Sequence, residues 1–456
     1  MVGVAVAATM LGWAGQAAAV PLEPGVINCG EHGPDVRFVV LFEPWTPAVD
    51  ATAETSSKCG TTVAYHPQIG VGVVLSSDRR FPNLMGRDRV FSAKAAVGKS
   101  KRLSEPPAVS DRSRTDRTAE QSDMAMIRAD QAHAVTLGSD SVVVGVLDSG
   151  IDATHPELSA AVDPARSAGC LTGKADPAPA AWRPTTSAHG THVAGVIAAA
   201  DDGHGVTGVA PGVRLASVKV VDDAGFVFPE AVVCGLMWAA ANQFAVANHS
   251  YFVDPWLQTC DRDGERVVAE SVRRAVDYAT RRGVLSVAAA SNENIDLARP
   301  RGQAVGANGE RRTLDASCKV LPAGLRGVVA VSAVGPDQLK TGYSAYGLGV
   351  IDVTAPGGAG DECVLSTVPG GYGRLCGTSM AAPHVTGVVA LLAGRHPGAS
   401  PQSLTRRLTT QAVAVACPGD YDLDDAGGQD AYCSGYAPYN SFYGHGLVDA
   451  LAAVTS

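Results

Sequence analysis

Apolar positions follow two regimes along the chain, separated by a stretch where they nearly vanish. Between residues 36 and 92, two short β-branched runs, Val36 to Phe42 and Ile69 to Leu75, are bounded by Pro, Gly and Ser and predict strands. Ala48 to Lys58 and Asp78 to Val90 carry helical patterns, the second limited by Pro82. This order predicts a small α/β sandwich of the split βαβ kind. From about residue 123 the pattern changes scale. Ser141 to Leu147 is a continuous apolar run, as expected for a strand of a parallel sheet covered on both faces. Helical runs follow at His189 to Ala200, Pro229 to Ala241 and Val267 to Arg282, and Gly283 to Ala290 reads as another buried strand. Such alternation predicts an α/β fold with a mostly parallel sheet flanked by helices.

The stretch between the two regimes, residues 94–122, has almost no large apolar side chains. Lys94 to Arg117 holds seven basic groups against three acidic ones, so it cannot bury enough surface to fold alone. It predicts an exposed linker and a place for a protease to cut. The expected organisation is therefore 1–19 as a signal peptide, 20–93 as a small leading domain, 94–122 as linker and 123–456 as the main domain.

Composition narrows the function. With 456 residues, 46% of them hydrophobic and 18% charged, the chain can bury a large core in two or three units. A net charge of −9 leaves no basic face for nucleic acid. Residues 2–19 carry no charge and end in Ala17-Ala18-Ala19, the small-residue pattern of a signal-peptide cleavage site. No other stretch reaches the roughly 18 apolar residues of a membrane span, so a secreted protein without a membrane anchor is expected. Ten cysteines without a C-x-x-C pair fit disulfides formed in an oxidising compartment rather than zinc. Cys29 and Cys59 precede the main domain, and Cys417 with Cys433, bracketing an acidic loop, is the best local pair.

Three segments carry the chemistry. Val144-Gly145-Val146-Leu147-Asp148-Ser149-Gly150 puts an acid at the carboxyl end of a buried strand. His189-Gly190-Thr191-His192-Val193-Ala194-Gly195 puts a histidine at a helix start. Gly377-Thr378-Ser379-Met380-Ala381-Ala382-Pro383-His384 puts a serine before another apolar helix. A serine hydroxyl is a poor nucleophile at neutral pH. An imidazole can take its proton, and a buried carboxylate fixes the imidazole tautomer. Carboxyl ends of parallel strands are where α/β folds place their sites.

Together these segments resemble the subtilase family of serine proteases, and the order Asp, His, Ser is that of subtilisin. The resemblance runs from about residue 123 to Val454 and implies Asp148, His189 and Ser379 as a catalytic triad. Ala288-Ala289-Ala290-Ser291-Asn292-Glu293 matches the family's oxyanion segment and nominates Asn292, although Ser291 stands where glycine is usual. Ala290 and Ser291 then belong to the substrate cleft. Ala247-Asn248-His249-Ser250-Tyr251-Phe252 falls where the family has a Ser-Leu-Gly run, so Ser250, Tyr251 and Phe252 are implied to face substrate. Gly225-Phe226-Val227 resembles the opposite substrate-pairing edge.

The resemblance also implies polypeptide substrates and a leading segment that acts as propeptide and intramolecular inhibitor. No cofactor is needed for the chemistry. Ala200-Asp201-Asp202-Gly203-His204-Gly205-Val206 aligns with a loop that many subtilisins fold around calcium, which nominates Asp202 and Glu157 as ligands. A plain acidic turn is the alternative there. The acidic run Asp420 to Asp425 lacks the glycine and oxygen ligand of an EF-type loop. The rival readings are a pseudoprotease that keeps the cleft for binding, and a mycosin-like processing protease. Anchored members of the latter group carry a C-terminal spanning helix, which Leu447 to Ser456 does not supply.

Overall fold

The computed structural model describes residues 1–3, 29–30, 33–97, 111–113, 115–306, 309–423 and 428–455. Residues 4–19 of the expected signal peptide, the middle of the expected linker and part of the acidic run after Asp420 lie outside the described residues.

Residues 36–91 form a four-stranded antiparallel sheet in the order Thr61–His66, Val71–Ser76, Val36–Leu41, Val90–Phe91. The central pair runs in register from Val36 opposite Ser76 to Leu41 opposite Val71. With the helices Ala48–Ser57 and Phe81–Met85 between strands, this is the split βαβ sandwich. Strand alternation sorts its side chains. Phe38, Val40 and Phe42 pack with Ala51, Phe81 and Met85 in the domain's own core. Val39, Leu41 and Val71 face the other way, into a core shared with the main domain. The helix expected over residues 78–90 shrinks to Phe81–Met85, because Gly86 follows in a left-handed conformation at φ 98°.

The main domain is built on a seven-stranded sheet in which every pairing is parallel. Its order is Val353–Pro356, Val328–Val334, Leu285–Ala289, Val246–His249, Val143–Asp148, Arg214–Lys219, Ala168–Gly169. Val144 and Val146 point to a core holding the helices His189–Ala198 and Thr378–Arg395. Val143 and Leu147 point to the opposite core, beneath the helices Pro229–Ala241 and Glu265–Arg281. A strand covered on both faces is why this segment is apolar throughout. Five disulfides join Cys29–Cys59, Cys170–Cys234, Cys260–Cys318, Cys363–Cys376 and Cys417–Cys433. The last is the local pair expected from sequence.

The leading sheet docks on the helix Glu265–Arg281. Arg274 donates from Nη1 to the carbonyls of Phe42 at 2.7 Å and Ile69 at 3.0 Å. Arg37 reaches the Leu171 carbonyl at 2.9 Å. The expected linker is shorter than its composition implies. Residues Ala93–Val97 form a helical turn whose Ala93 and Val97 pack on Phe226 and Phe228. From Asp111 the chain already lies on the main domain, pairing with Tyr372, and Asp116 pairs with Gly205. Gln121 is buried and exchanges two 2.9 Å hydrogen bonds with the backbone of Thr207. Backbone pairing and side-chain amides hold these polar residues, so a lack of apolar side chains did not leave them loose.

Candidate active site

Asp148 ends the strand Val143–Asp148 and is buried, and His189 opens the helix His189–Ala198. Gly190 allows the two elements to meet. A Cβ there would lie 2.5 Å from the Gly150 carbonyl oxygen and 3.1 Å from Asp148 Cβ. His189 Nδ1 sits 2.8 Å from Asp148 Oδ1, which also accepts the Ser149 amide at 2.7 Å. Ser149 Oγ in turn accepts the Gly190 N–H at 2.9 Å, tying strand end to helix start. A carboxylate on Nδ1 fixes the tautomer and leaves Nε2 as the ring's basic nitrogen.

Ser379 is the second residue of the helix Thr378–Arg395, which begins after Gly377 at φ 149°. Its Oγ donates to the Ser250 carbonyl at 3.2 Å, and Ser250 Oγ donates back to the Ser379 carbonyl at 2.8 Å. In the first helical turn the Ser379 N–H has no backbone acceptor among the described residues. Asn292 Oδ1 accepts both the amide and the hydroxyl of Thr378, at 2.9 and 2.7 Å. This turns its Nδ2 toward the gap beside Gly377. A Cβ on Gly377 would stand 3.0 Å from that Nδ2 and 3.6 Å from the Ser379 nitrogen, so glycine keeps the space between two donors open. Asp148, His189, Asn292 and Ser379 all line one cleft of about 960 Å³, with Gly225, Ser250, Tyr251, Phe252 and Ser291.

A family model described as the subtilase family matches residues 139–446. Subtilisin E of Bacillus subtilis (strain 168) is 31% identical over 333 residues, which is 72% of this chain and 70% of that protein. This chain belongs to the subtilase family. M-protease of Shouchella clausii (strain KSM-K16) is 33% identical over 334 residues, 72% of this chain and 68% of that protein. The epidermin leader peptide processing serine protease of Staphylococcus aureus superposes with a TM-score of 0.70 at 18% identity, covering 92% of this chain and 99% of that one. At that identity the likeness concerns the fold, leading domain included. The enzyme is a serine-type endopeptidase.

Where this subtilase departs from the family's sequence pattern, the structure shows what the substitutions touch. Ser291 adopts φ 125°, a conformation that favours glycine. Its N–H donates to Thr378 Oγ1 at 3.3 Å, while its buried Oγ has no hydrogen-bond partner among the described residues. Tyr251 lines the cleft and its hydroxyl reaches 2.8 Å from Nδ1 of His249, a fully buried residue of the sheet. His249 Nε2 is 3.2 Å from Ser286 Oγ. Burial pushes the His249 imidazole down to about 3, and burial, with the Asp148 charge second, raises the Tyr251 phenol. Tyr251 was nominated from sequence, but its His249 partner was missed; the only signal for it is a histidine inside an apolar strand. Phe252 is half-buried and forms part of the cleft wall. Ala290, nominated for the cleft, is instead fully buried in the core, because strand alternation sends it away while Ala289 and Ser291 face the cleft. Asp222, also missed, shapes the Gly225 edge by accepting the Ala224 and Phe226 amides at 2.9 Å each.

The calcium nomination fits poorly. Glu157 is buried and accepts the Tyr372 hydroxyl on Oε1 at 2.6 Å. That same hydroxyl presses against Gly205, where any Cβ would collide with it, so the phenol fills the space between Glu157 and the 201–206 loop. Asp202 is exposed and accepts the His204 amide at 3.0 Å. Among the described residues no group of three or more His, Cys, Asp or Glu is placed to hold a metal, whereas calcium takes about 6–8 oxygens.

Proposed function

We propose that the enzyme is exported as a zymogen and hydrolyses peptide bonds through an acyl-enzyme on Ser379. Ser379 Oγ attacks the scissile carbonyl, His189 Nε2 takes its proton and passes it to the leaving amine, and Asp148 orients His189 and stabilises the imidazolium. Water then repeats the sequence on the ester and releases the acid. Asn292 Nδ2 and the Ser379 N–H receive the negative oxygen of each tetrahedral intermediate. One observation carries this reading: a buried carboxylate–imidazole pair at 2.8 Å shares a cleft with a serine flanked by two open donors.

The leading domain supports the zymogen reading. It is anchored on the helix Glu265–Arg281, and its last helical turn, Ala93–Val97, packs on Phe226 and Phe228 beside the Gly225 edge of the cleft. This placement beside the cleft supports a leading domain that acts as an intramolecular inhibitor. Five disulfides favour an oxidising compartment, in line with the signal-like residues 2–19. Among the described residues no helix is long and apolar enough to cross a membrane.

Kinetics on a peptide substrate test the assignment. Ser379→Ala should lower kcat by about 10⁶ with the fold intact, and Asn292→Ala by about 10²–10³. Peptide hydrolysis at an undiminished rate by a folded Ser379→Ala protein removes the mechanism.

A further inference from the structure

Lys340 is 1% exposed, in the turn that pairs it with Val334 at the end of a sheet strand. Its Nζ spends all three donors inside the protein: on Asn294 Oδ1 at 2.9 Å, the Thr341 carbonyl at 3.0 Å and the Tyr421 hydroxyl at 3.1 Å. The rings of Tyr346, Tyr421 and Phe442 surround it, with centroids 5.3, 5.0 and 5.4 Å from Nζ. Aromatic faces and neutral acceptors make its direct contacts, while the Asp430 carboxylate acts on it at longer range. Burying an ammonium is costly, and a methionine would fill such a space without that cost.

The group that profits is the segment around Asn292. Two of its non-glycine residues hold left-handed backbone, Ser291 at φ 125° and Asn294 at φ 47°. Such a segment keeps its shape only when its surroundings impose it. The 340–346 stretch does so through the Ala345 amide on the Ser291 carbonyl at 2.9 Å, the Asn294 amide on the Tyr343 carbonyl at 2.8 Å and the Tyr346 amide on the Ile295 carbonyl at 3.0 Å. Asn294 also donates from Nδ2 to the Asp430 carbonyl at 3.3 Å, within the loop closed by Cys417–Cys433. Lys340 and its ring cage thus clamp Asn294 between two parts of the chain remote in sequence. Among the described residues the Asn292 side chain is held on Thr378, and the other end of its position is set by this segment.

We infer that Lys340 is a positioning residue for the reaction: through Asn294 it fixes the segment that carries Asn292, and so the aim of the Asn292 Nδ2. This rests on Asn292 being the oxyanion donor. A displacement of a transition-state donor lowers kcat more than it weakens substrate binding.

The test is a double-mutant cycle on the full chain, pairing Lys340→Met with Asn292→Ala and reading kcat and KM separately. Lys340→Met should lower kcat about 10- to 100-fold with little change in KM, and should cost nothing further once Asn292 is alanine. Equal losses in both backgrounds, or no loss in either, overturn the inference. If Lys340→Met does not fold, Asn294→Ala takes its place in the same cycle with the same outcomes expected. Asn292→Ala alone judges the underlying reading: an unchanged kcat there defeats the oxyanion assignment. A lowered kcat there with additive losses at Lys340 defeats only the clamp.

Discussion

Two side chains narrow the cleft where the family's sequence pattern has glycine, and both have measurable consequences. Phe252, which also packs against the core, and Ser291 line the cleft, while exposed Glu293 stands there one residue past Asn292. Forcing a bulky group into occupied space costs about 1–3 kcal/mol, against less than about 1 kcal/mol from an exposed ion pair with Glu293. Small residues such as Ala or Ser should therefore be cleaved after in preference to Phe and Leu, and Phe252→Gly should reverse that order on a peptide library. Efficient cleavage after Phe by the unmutated enzyme would show that the ring leaves the pocket open. Ser291 is a separate case, since its cost lies in the backbone. Left-handed strain of about 1–3 kcal/mol exceeds the extra chain entropy of glycine, about 0.5–1 kcal/mol. Ser291→Gly should stabilise the fold by about 1 kcal/mol, read as a higher denaturation midpoint; a lower midpoint contradicts this. At this scale the sequence was readable where chemistry is local. Asp148, His189 and Ser379 each announce themselves within a few residues. His249 and Lys340 did not, because what makes them tolerable lies far along the chain: Ser286 for one, Asn294 and Tyr421 for the other.

Elements were legible in proportion to their burial. Ser141 to Leu147 reads as a strand because both its faces are covered, and the structure has Val143–Asp148 there. Thr61–His66 was missed because it is a half-buried edge strand whose Thr, Ala and His residues give no clear alternation. The 201–206 loop shows a different failure. Its sequence matched a calcium loop, but the partner that fills it, Tyr372, comes from the hairpin strand Gly371–Leu375. That hydroxyl bridges hairpin, Glu157 and the Gly205 turn. Tyr372→Phe leaves a buried carboxylate short of a hydrogen bond and should destabilise the enzyme by about 1–3 kcal/mol. A chelator should leave the melting curve of the unmutated protein where it was. A fall in melting temperature with chelator, restored by calcium, would show that metal and not the phenol holds the loop.

For the whole molecule, the division into a small leading domain and a larger α/β domain was visible in the change of hydrophobic period, while the docking between them was not. Nothing in the 94–122 composition told that Ala93 and Val97 would seat on Phe226 and Phe228, or that Asp111 would pair with Tyr372. Both ends of the expected linker are thereby fixed to the main domain, so the proposed zymogen reading puts its cut between them, at residues 98–110. Secreted wild-type enzyme should begin within or close to that range, and Ser379→Ala precursor should keep its leading domain. An identical N-terminus on both proteins would assign the cut to another protease. Underneath these expectations is the claim that Ser379, served by His189 and Asp148, is the nucleophile. Labelling the mature enzyme with a fluorophosphonate and mapping the adduct by mass spectrometry tests it most directly. The account predicts one phosphonylated residue, Ser379, with hydrolysis lost in step with labelling; labelling elsewhere, or full activity with Ser379 modified, would contradict it.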